Sequence, residues 1–316
     1  MASSKHLGGG WFGFVSVLPF VVLLFGFAGY AWVQVMAMAF SHVHVQGGQF
    51  VWTSAGLDNF RAVAQDPIAV YSIVTTVLFV VATVAITVLL GLGLALLVQR
   101  SVLFKPLAQL LIVWPAIVAP VVVSLIWLLV LSPNIGALNK VLDTLSLPTQ
   151  SWLGIPLGAM ASIILVDVWH WTPVAFLLLY SALCSIDEDT IEAARCDGAK
   201  EWQIVAFVQV PTLLPAIATT VFIRAVMGIK AFDEMYLLTG GGPDNATTLV
   251  SLHIRDVFFD QLNMGYGAAF SVVVVLLVAL TVIAVVATRA SLGRWRSRPR
   301  TDHARVAVAS SRESLA

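Results

Sequence analysis

Side chains that could do chemistry are few in this 316-residue chain, and most of them interrupt apolar sequence. Asp167 and His170 stand three residues apart in Val166-Asp167-Val168-Trp169-His170-Trp171-Thr172-Pro173. On a helix that spacing puts both on one face, with Trp171 four residues from Asp167. Arg224, Lys230, Asp233 and Glu234 follow along a second apolar stretch, with Tyr236 just beyond. Trp169, His170, Trp171, Arg224, Lys230 and Tyr236 offer aromatic faces and fixed polar groups, which suit a ligand bearing both an apolar side and hydroxyls. A structural reading is equally open: Arg224 paired with an acid, Asp233 and Glu234 at a water interface, and the tryptophans in an interfacial belt. Cys184 and Cys196 are two isolated cysteines, and His42 and His44 have no acidic neighbour, so neither pair makes a disulfide framework or a metal site.

The elements that position these residues follow from composition. The chain is 59% hydrophobic and 11% charged, against about 25% charged for a soluble domain, so a soluble globule is excluded. With 17 basic and 17 acidic residues it carries no net charge and no field to attract nucleic acid. A helical span needs about 20 mostly apolar residues. Runs free of charge place six spans at about 14–38, 70–98, 107–131, 160–184, 213–237 and 265–288. All are expected to be helices, because backbone amides in lipid must be satisfied within the segment. Lys5 precedes the first run and Ala37-Met38-Ala39 follows it, but the run is longer than a secretory signal's apolar region of about 7–15 residues, so it reads as a span.

Lys and Arg positions set the orientation. With both termini in the cytoplasm, the inner segments hold Lys5, Arg100, Lys105, Arg195, Lys200, Arg289, Arg294, Arg296, Arg298, Arg300, Arg305 and Arg312, and the outer ones only Arg61, Lys140 and Arg255. The chain thus divides into a cytoplasmic N-terminus (1–13), a six-span domain (14–289) and a basic cytoplasmic tail (290–316). The tail should lie on anionic headgroups before becoming disordered.

Between the fourth and fifth spans, residues 185–211 differ from every other loop. Ser185 and Glu188 have capping-box spacing, Asp187, Glu188 and Asp189 suit a helix N-terminus, and Gly198 suits its end. The spacing predicts a helix of about 12 residues whose Ala193, Ala194 and Ala199 keep its surface low enough for another protein to approach. Glu192 and Arg195 would form an ordinary surface pair. No G-x-x-x-x-G-K-[ST] loop occurs: Gly198-Ala199-Lys200 lacks the first glycine and the hydroxyl residue, so the chain is not itself an ATPase.

Glu192-Ala193-Ala194, Gly198 and Val208-Gln209-Val210-Pro211 together resemble the EAA loop of binding-protein-dependent ABC importer permeases, in the sugar-type class that includes maltose and glycerol-phosphate permeases. The resemblance runs from about residue 11 to 289 through Gly56-Leu57-Asp58-Asn59-Phe60, Ser132-Pro133-Asn134-Ile135-Gly136-Ala137-Leu138-Asn139, the Asp167 segment, Phe232 to Pro243, and Gly265-Tyr266-Gly267-Ala268-Ala269. Asp187 departs from the family, which usually has Pro there.

The resemblance implies an all-α polytopic membrane protein of the type I importer permease fold, in a bacterial cytoplasmic membrane, and not an enzyme. It further implies a second permease chain, two ATPase subunits that hold ATP and magnesium, and an extracytoplasmic solute-binding protein. Glu192, Ala193, Ala194, Asp197, Gly198, Ala199 and Pro211 would couple to the ATPase. Asp167, Trp169, His170, Trp171, Arg224, Lys230, Asp233, Glu234 and Tyr236 would line the pathway of a di- or oligosaccharide. Thr239, Gly240, Gly241, Gly242 and Pro243 would form an external gate or touch the binding protein. No cofactor is expected on this chain. Arg224 and Lys230 keep open a phosphorylated polyol as the cargo. A secondary transporter would need interrupted helices in two matching halves, and the sequence has no evident internal repeat.

Overall fold

A computed structural model describes residues 9–46, 49–100 and 105–296. The elements in chain order are α1 (Gly9–Ala39), β1 (Ser41–Gln46), β2 (Gln49–Ser54), α2 (Asp58–Gln65), α3 (Pro67–Arg100), α4 (Lys105–Val113) with a 3₁₀ turn at Trp114–Ile117, and α5 (Pro120–Val130). There follow α6 (Ala137–Thr144), α7 (Pro156–Cys184), α8 (Glu188–Cys196), α9 (Glu201–Ile204), a π turn at Val205–Gln209, α10 (Val210–Ile229), α11 (Asp233–Leu238), α12 (Val250–Arg255), a second π turn at Asp256–Asp260, and α13 (Met264–Arg296).

Five stretches are long and apolar enough to cross a membrane: Phe14–Ala39, Pro67–Arg100, Pro156–Cys184, Glu201–Ile229 and Met264–Ile283. The sixth expected span, 107–131, is not one helix. Lys105–Ile117 and Pro120–Val130 meet at 97°. Pro120 drives Ala119 out of helical backbone (ψ 139°), and Val118 is extended as well (ψ 135°). The fifth span also departs from 213–237. It starts at Glu201, passes through the π turn ahead of Pro211, which cannot donate to the helical ladder, and stops at Ile229. Lys230 is therefore a helix end, and Asp233 and Glu234 belong to α11.

The expectation of an all-helical chain misses one hairpin. β1 and β2 pair antiparallel with Val43 opposite Trp52 and His42 opposite Thr53, a pattern of β-branched and aromatic residues that suits strands. Asn59 anchors the hairpin's root by donating to Ala39 O (3.0 Å) and Ser41 O (2.9 Å). The last helix runs to Arg296, past the expected boundary at 289. The rest of the basic tail and the first eight residues lie outside the described residues.

The interior is built on α3 and α7. Phe176, Leu179 and Leu183 of α7 bury against Val84, Val88, Ala95 and Val98 of α3, joined by Leu213 of α10. A second cluster joins Phe79, Val123, Ile163, Val166, Met235 and Leu249, and a third joins Ala39, Val63, Val257 and Phe270. α3 passes close to α7 at Gly91, where a Cβ would lie 2.9 Å from Ala175 Cβ and 3.0 Å from Phe176 N. A small residue there lets two membrane helices pack backbone to backbone. Asn139, on α6, ties together the segments on either side of that helix: Nδ2 donates to Pro133 O (3.0 Å) and Gln150 O (2.9 Å), and Oδ1 accepts from Trp152 Nε1 (2.9 Å). Gly91→Leu is expected to force the two helices apart and destabilise the protein by about 1–3 kcal/mol, measured as a lower melting temperature in detergent.

Candidate functional site

The segment 185–211 folds as a short exposed helix strapped to one end of the bundle. α8 has nine residues, not about 12, and begins two residues later than the capping-box spacing suggests. Asp187, not Ser185, caps it, its carboxylate accepting from Asp189 N (3.2 Å). Ser185 Oγ instead donates to Ala182 O (2.7 Å), because α7 still runs into it. The C-terminal expectation is met: Gly198 takes φ +81°, Gly198 N donates to Arg195 O and Ala199 N to Ala194 O, both 3.0 Å. Those two bonds are the paired closure of a Schellman turn. Nothing lies within 4 Å of where a Cβ at Gly198 would stand, so positive φ, not crowding, is the demand for glycine there.

Arg195 does not pair with Glu192. Its Nε donates to Glu201 Oε1 (3.0 Å), while Arg100 Nη2 approaches Glu201 Oε2 (3.3 Å), so one carboxylate ties α8 to the end of α3. Gln209 Nε2 adds a bond to Gln99 Oε1 (3.3 Å). Both ion pairs are half exposed, where solvent screens the attraction and little stability is gained. Glu192, Ala193, Asp197, Gly198 and Pro211 are exposed, and Ala194 and Ala199 half-buried. Asp197, Gly198, Ala199, Gln203, Ile204, Phe207 and Val208 line an open hollow of about 330 Å³. Phe207 is 70% and Trp202 62% exposed. The motif reading missed these two aromatics; their presence beside a charged loop was the available signal.

The nine membrane-depth candidates do not form one site. Asp167, His170, Arg224 and Glu234 are buried together, whereas Trp169, Lys230 and Tyr236 are exposed and Trp171 and Asp233 half-buried. Arg224, 0% exposed, donates from Nη2 to Asp167 Oδ2 at 2.5 Å and joins α10 to α7. His170 Nε2 meets Val118 O at 3.1 Å, and its Nδ1 stands 3.6 Å from Glu234 Oε1 on α11. On the exposed side Trp169 meets Trp127 edge-on (5.7 Å between ring centres), and Tyr236 lies between Phe232 (5.2 Å) and the Arg255 guanidinium (4.9 Å).

The turn after α11 is knit by Thr239 and by two threonines, Thr247 and Thr248, that the sequence reading left out. Gly240 and Gly241 take φ +57° and +92°. Thr247 Oγ1 donates to Gly242 O (3.0 Å) and Thr248 Oγ1 to Gly241 O (3.2 Å); Thr239 Oγ1 lies 2.7 Å from Thr247 Oγ1. A further unforeseen network joins α2, α12 and α13. Tyr266 Oη donates to Asp66, and His253 Nε2 lies 3.7 Å from the same carboxylate. Burial works to raise the Asp66 pKa, but the hydrogen bonds from Tyr266 and Ile68 N with the nearby His253 outweigh it and hold the carboxyl below the usual range. Burial pushes the His253 imidazole below the ordinary histidine range, against the pull of Asp66 and Asp256.

These features describe a multi-pass helical membrane protein with one span broken, a solvent-exposed helix between its fourth and fifth crossings, and charges buried between helices. The family model for binding-protein-dependent transport system inner membrane components matches residues 87–296, and the chain belongs to that family. It is 31% identical over 242 residues to the trehalose/maltose transport system permease protein MalF of Thermococcus litoralis, covering 76% of this chain and 80% of that one. It is 33% identical over 220 residues to the trehalose transport system permease protein SugA of Mycobacterium tuberculosis, covering 69% of each. It is 31% identical to the sulfoquinovosyl glycerol transport system permease protein SmoG of Agrobacterium fabrum, covering 69% of this chain and 71% of that one. Its fold matches a chain of a bacterial ABC transporter involved in alginate import, with TM-score 0.76 at 20% identity over 91% of this chain and 96% of that one.

Removing only one member of the Arg224–Asp167 pair, as in Arg224→Met, leaves a buried carboxylate unpaired and should cost about 3–5 kcal/mol, while Arg224→Met with Asp167→Leu should recover most of that in thermal melts. Acid should also destabilise the fold in two steps. In the unfolded chain His253 takes up a proton at about pH 6.5, where the folded site resists it, so stability falls as pH drops below that value. Asp66 contributes stability that is complete above its ordinary pKa near 4 and is lost as pH falls through its lowered folded value. Melting temperature against pH should lose the first step in His253→Phe.

Proposed function

We propose that this chain is the permease subunit of an ATP-driven importer that takes a carbohydrate, a di- or oligosaccharide, from an external solute-binding protein. The observation that carries the coupling part is α8: a short helix, exposed along Glu192 and Ala193 and closed by the Gly198 turn beside an open hollow rimmed by Phe207. A helix standing off the bundle with a recess at its end suits a partner that pushes on it, and this chain has no phosphate-binding loop of its own. Its partners are two ATPase subunits, which hold ATP and magnesium, and a second permease chain. Glu192, Ala193, Ala194, Asp197, Gly198, Ala199 and Pro211 carry the contact. The charge count on the loops supports a cytoplasmic location for this end and for both termini in a bacterial cytoplasmic membrane.

Support for a carbohydrate comes from relatives named for trehalose, maltose and sulfoquinovosyl glycerol transport. The exposed rings of Trp169 and Tyr236, with Trp127 and Phe232 behind them, provide the stacking faces such a ligand needs. Arg224 is occupied by Asp167, which leaves Lys230 as the exposed cation of the two and weakens the case for a phosphorylated polyol. Asp167, His170 and Glu234 then serve the pathway by holding its walls, and Trp169, Trp171, Lys230, Asp233 and Tyr236 face it. The Thr239-Gly240-Gly241-Gly242-Pro243 turn serves as the external gate or the binding-protein contact.

Mild-detergent purification should retain a P-loop ATPase and a second six-span permease; recovery of this chain alone, under conditions that keep a known ABC complex intact, would count against the assignment. Uptake should stop when the ATP site is inhibited with the proton gradient intact. Gly198→Asp, which also strains the positive φ, and Glu192→Lys should each abolish ATP-driven uptake while the protein still inserts, and normal uptake by both would remove the coupling role.

A further inference from the structure

The buried cluster holds an atom-level puzzle at His170. A backbone carbonyl only accepts hydrogen bonds, so the nitrogen facing Val118 O, Nε2 at 3.1 Å, must carry a hydrogen. The neutral imidazole has just one N–H, which leaves Nδ1 as a bare lone pair. That lone pair points at Glu234 Oε1, 3.6 Å away, and an ionised carboxylate is also purely an acceptor. Two acceptors would then face each other inside the protein, with side chains 1% and 4% exposed. Neither atom has another hydrogen-bond partner among the described residues. An unmet buried polar atom is costly, so two in opposition are not a stable arrangement.

We infer that His170 and Glu234 hold one extra hydrogen between Nδ1 and Oε1, making a proton-binding site inside the chain, and that this hydrogen locks the break in the third span to α7 and α11. The hydrogen sits on Nδ1 of an imidazolium facing a carboxylate, or on Oε1 of a carboxylic acid facing a neutral ring. Either state turns repulsion into attraction and needs only a small closure of the gap. Charge balance agrees. The charged groups that reach the pair are Asp167 on α7, Arg224 on α10 and Asp233 on α11. Asp167 and Arg224 cancel, so with the extra hydrogen the fully buried four are neutral, and without it they hold one uncompensated negative charge.

The location gives the site its consequence. His170 grips Val118 O at the bend of the third span, while Glu234 begins α11, the helix that leads into the Thr239–Pro243 turn. Trp171 lies against the imidazole, 4.5 Å between ring centres, and limits its rotation. A motion that swings α11 away from α7 must separate the proton's two holders, and one that swings the bend of the third span away must break the bond from His170 to Val118 O. His170 and Glu234 are thus positioning residues for both irregular segments.

Histidine-selective nitrogen NMR on the purified full-length protein in lipid nanodiscs, with the subunits that purify alongside it, reads this site directly. The His170 signals are those missing from His170→Asn. We expect Nε2 to carry a hydrogen and Nδ1 either to carry one or to accept one from an acid. In Glu234→Gln the amide supplies the hydrogen, so Nδ1 is an acceptor and the melting temperature stays within about 2 °C of wild type. In Glu234→Ala, Nδ1 becomes a bare lone pair and melting falls by about 4–10 °C. A bare lone pair at Nδ1 in the wild type, or one unchanged Nδ1 signal in all three proteins, overturns the inference. Should Glu234→Ala fail to accumulate, the wild-type and Gln spectra decide alone. The signals belong to this chain, so the outcome is independent of whether the importer assignment holds.

Discussion

In a bilayer every backbone amide must find its partner within the protein, and this chain breaks one apolar span near Val118 and leaves further backbone groups open beyond the end of α10 and at the start of α12. The structure meets that constraint by spending side chains on the orphaned groups. Val118 O, at the bend of the third span, is met by His170 Nε2. Ala231 O, after α10 stops, accepts from Ser251 Oγ. Val250 N, at the start of α12, donates to Thr76 Oγ1 at 2.9 Å across 174 residues of sequence. These three side chains each complete a backbone group on another segment, and so tie together segments that are far apart in sequence.

The two irregular regions converge on α7. Asp167 takes Arg224 from α10, and His170, one turn on, takes the bend and faces α11. Buried ion pairs return little net stability, since desolvation offsets most of the attraction. What they add here is uniqueness: a slip of any helix by one turn would strand a charge. At the end of the bundle that carries α8 the logic differs. The links through Glu201 are half exposed and weak, so α8 is held in place by ties that yield easily.

Much of this was legible along the chain. The long runs without charge mark the spans, and Gly198 marks the end of α8 because only glycine takes φ +81° without strain. The break of the third span was readable too, from Pro115 and Pro120 within 107–131, had proline been weighed above hydropathy. Ser185 misled because its hydroxyl had a nearer acceptor in the last turn of α7. The hairpin at 41–54 hid behind an apolar run that continued the first span, although the alternation Ser-His-Val-His-Val-Gln already had the period of a strand.

The sorting of the membrane-depth residues was not legible. Asp167 and Trp169 are two positions apart, yet one is buried against Arg224 and the other exposed beside Trp127. Periodicity separates the faces of a helix, but in a helix that is apolar all round it does not say which face is inside. Composition and periodicity determined that the chain crosses a membrane repeatedly as helices and where most of them run, because burial of apolar residues and local backbone preferences act over short distances. Tertiary structure alone decided that Arg224 meets Asp167 across 57 residues, that Asp66 meets Tyr266 across 200, and that His170 closes the backbone at Val118. Partners that far apart in sequence are chosen by the packing of whole helices, and no local signal encodes that choice.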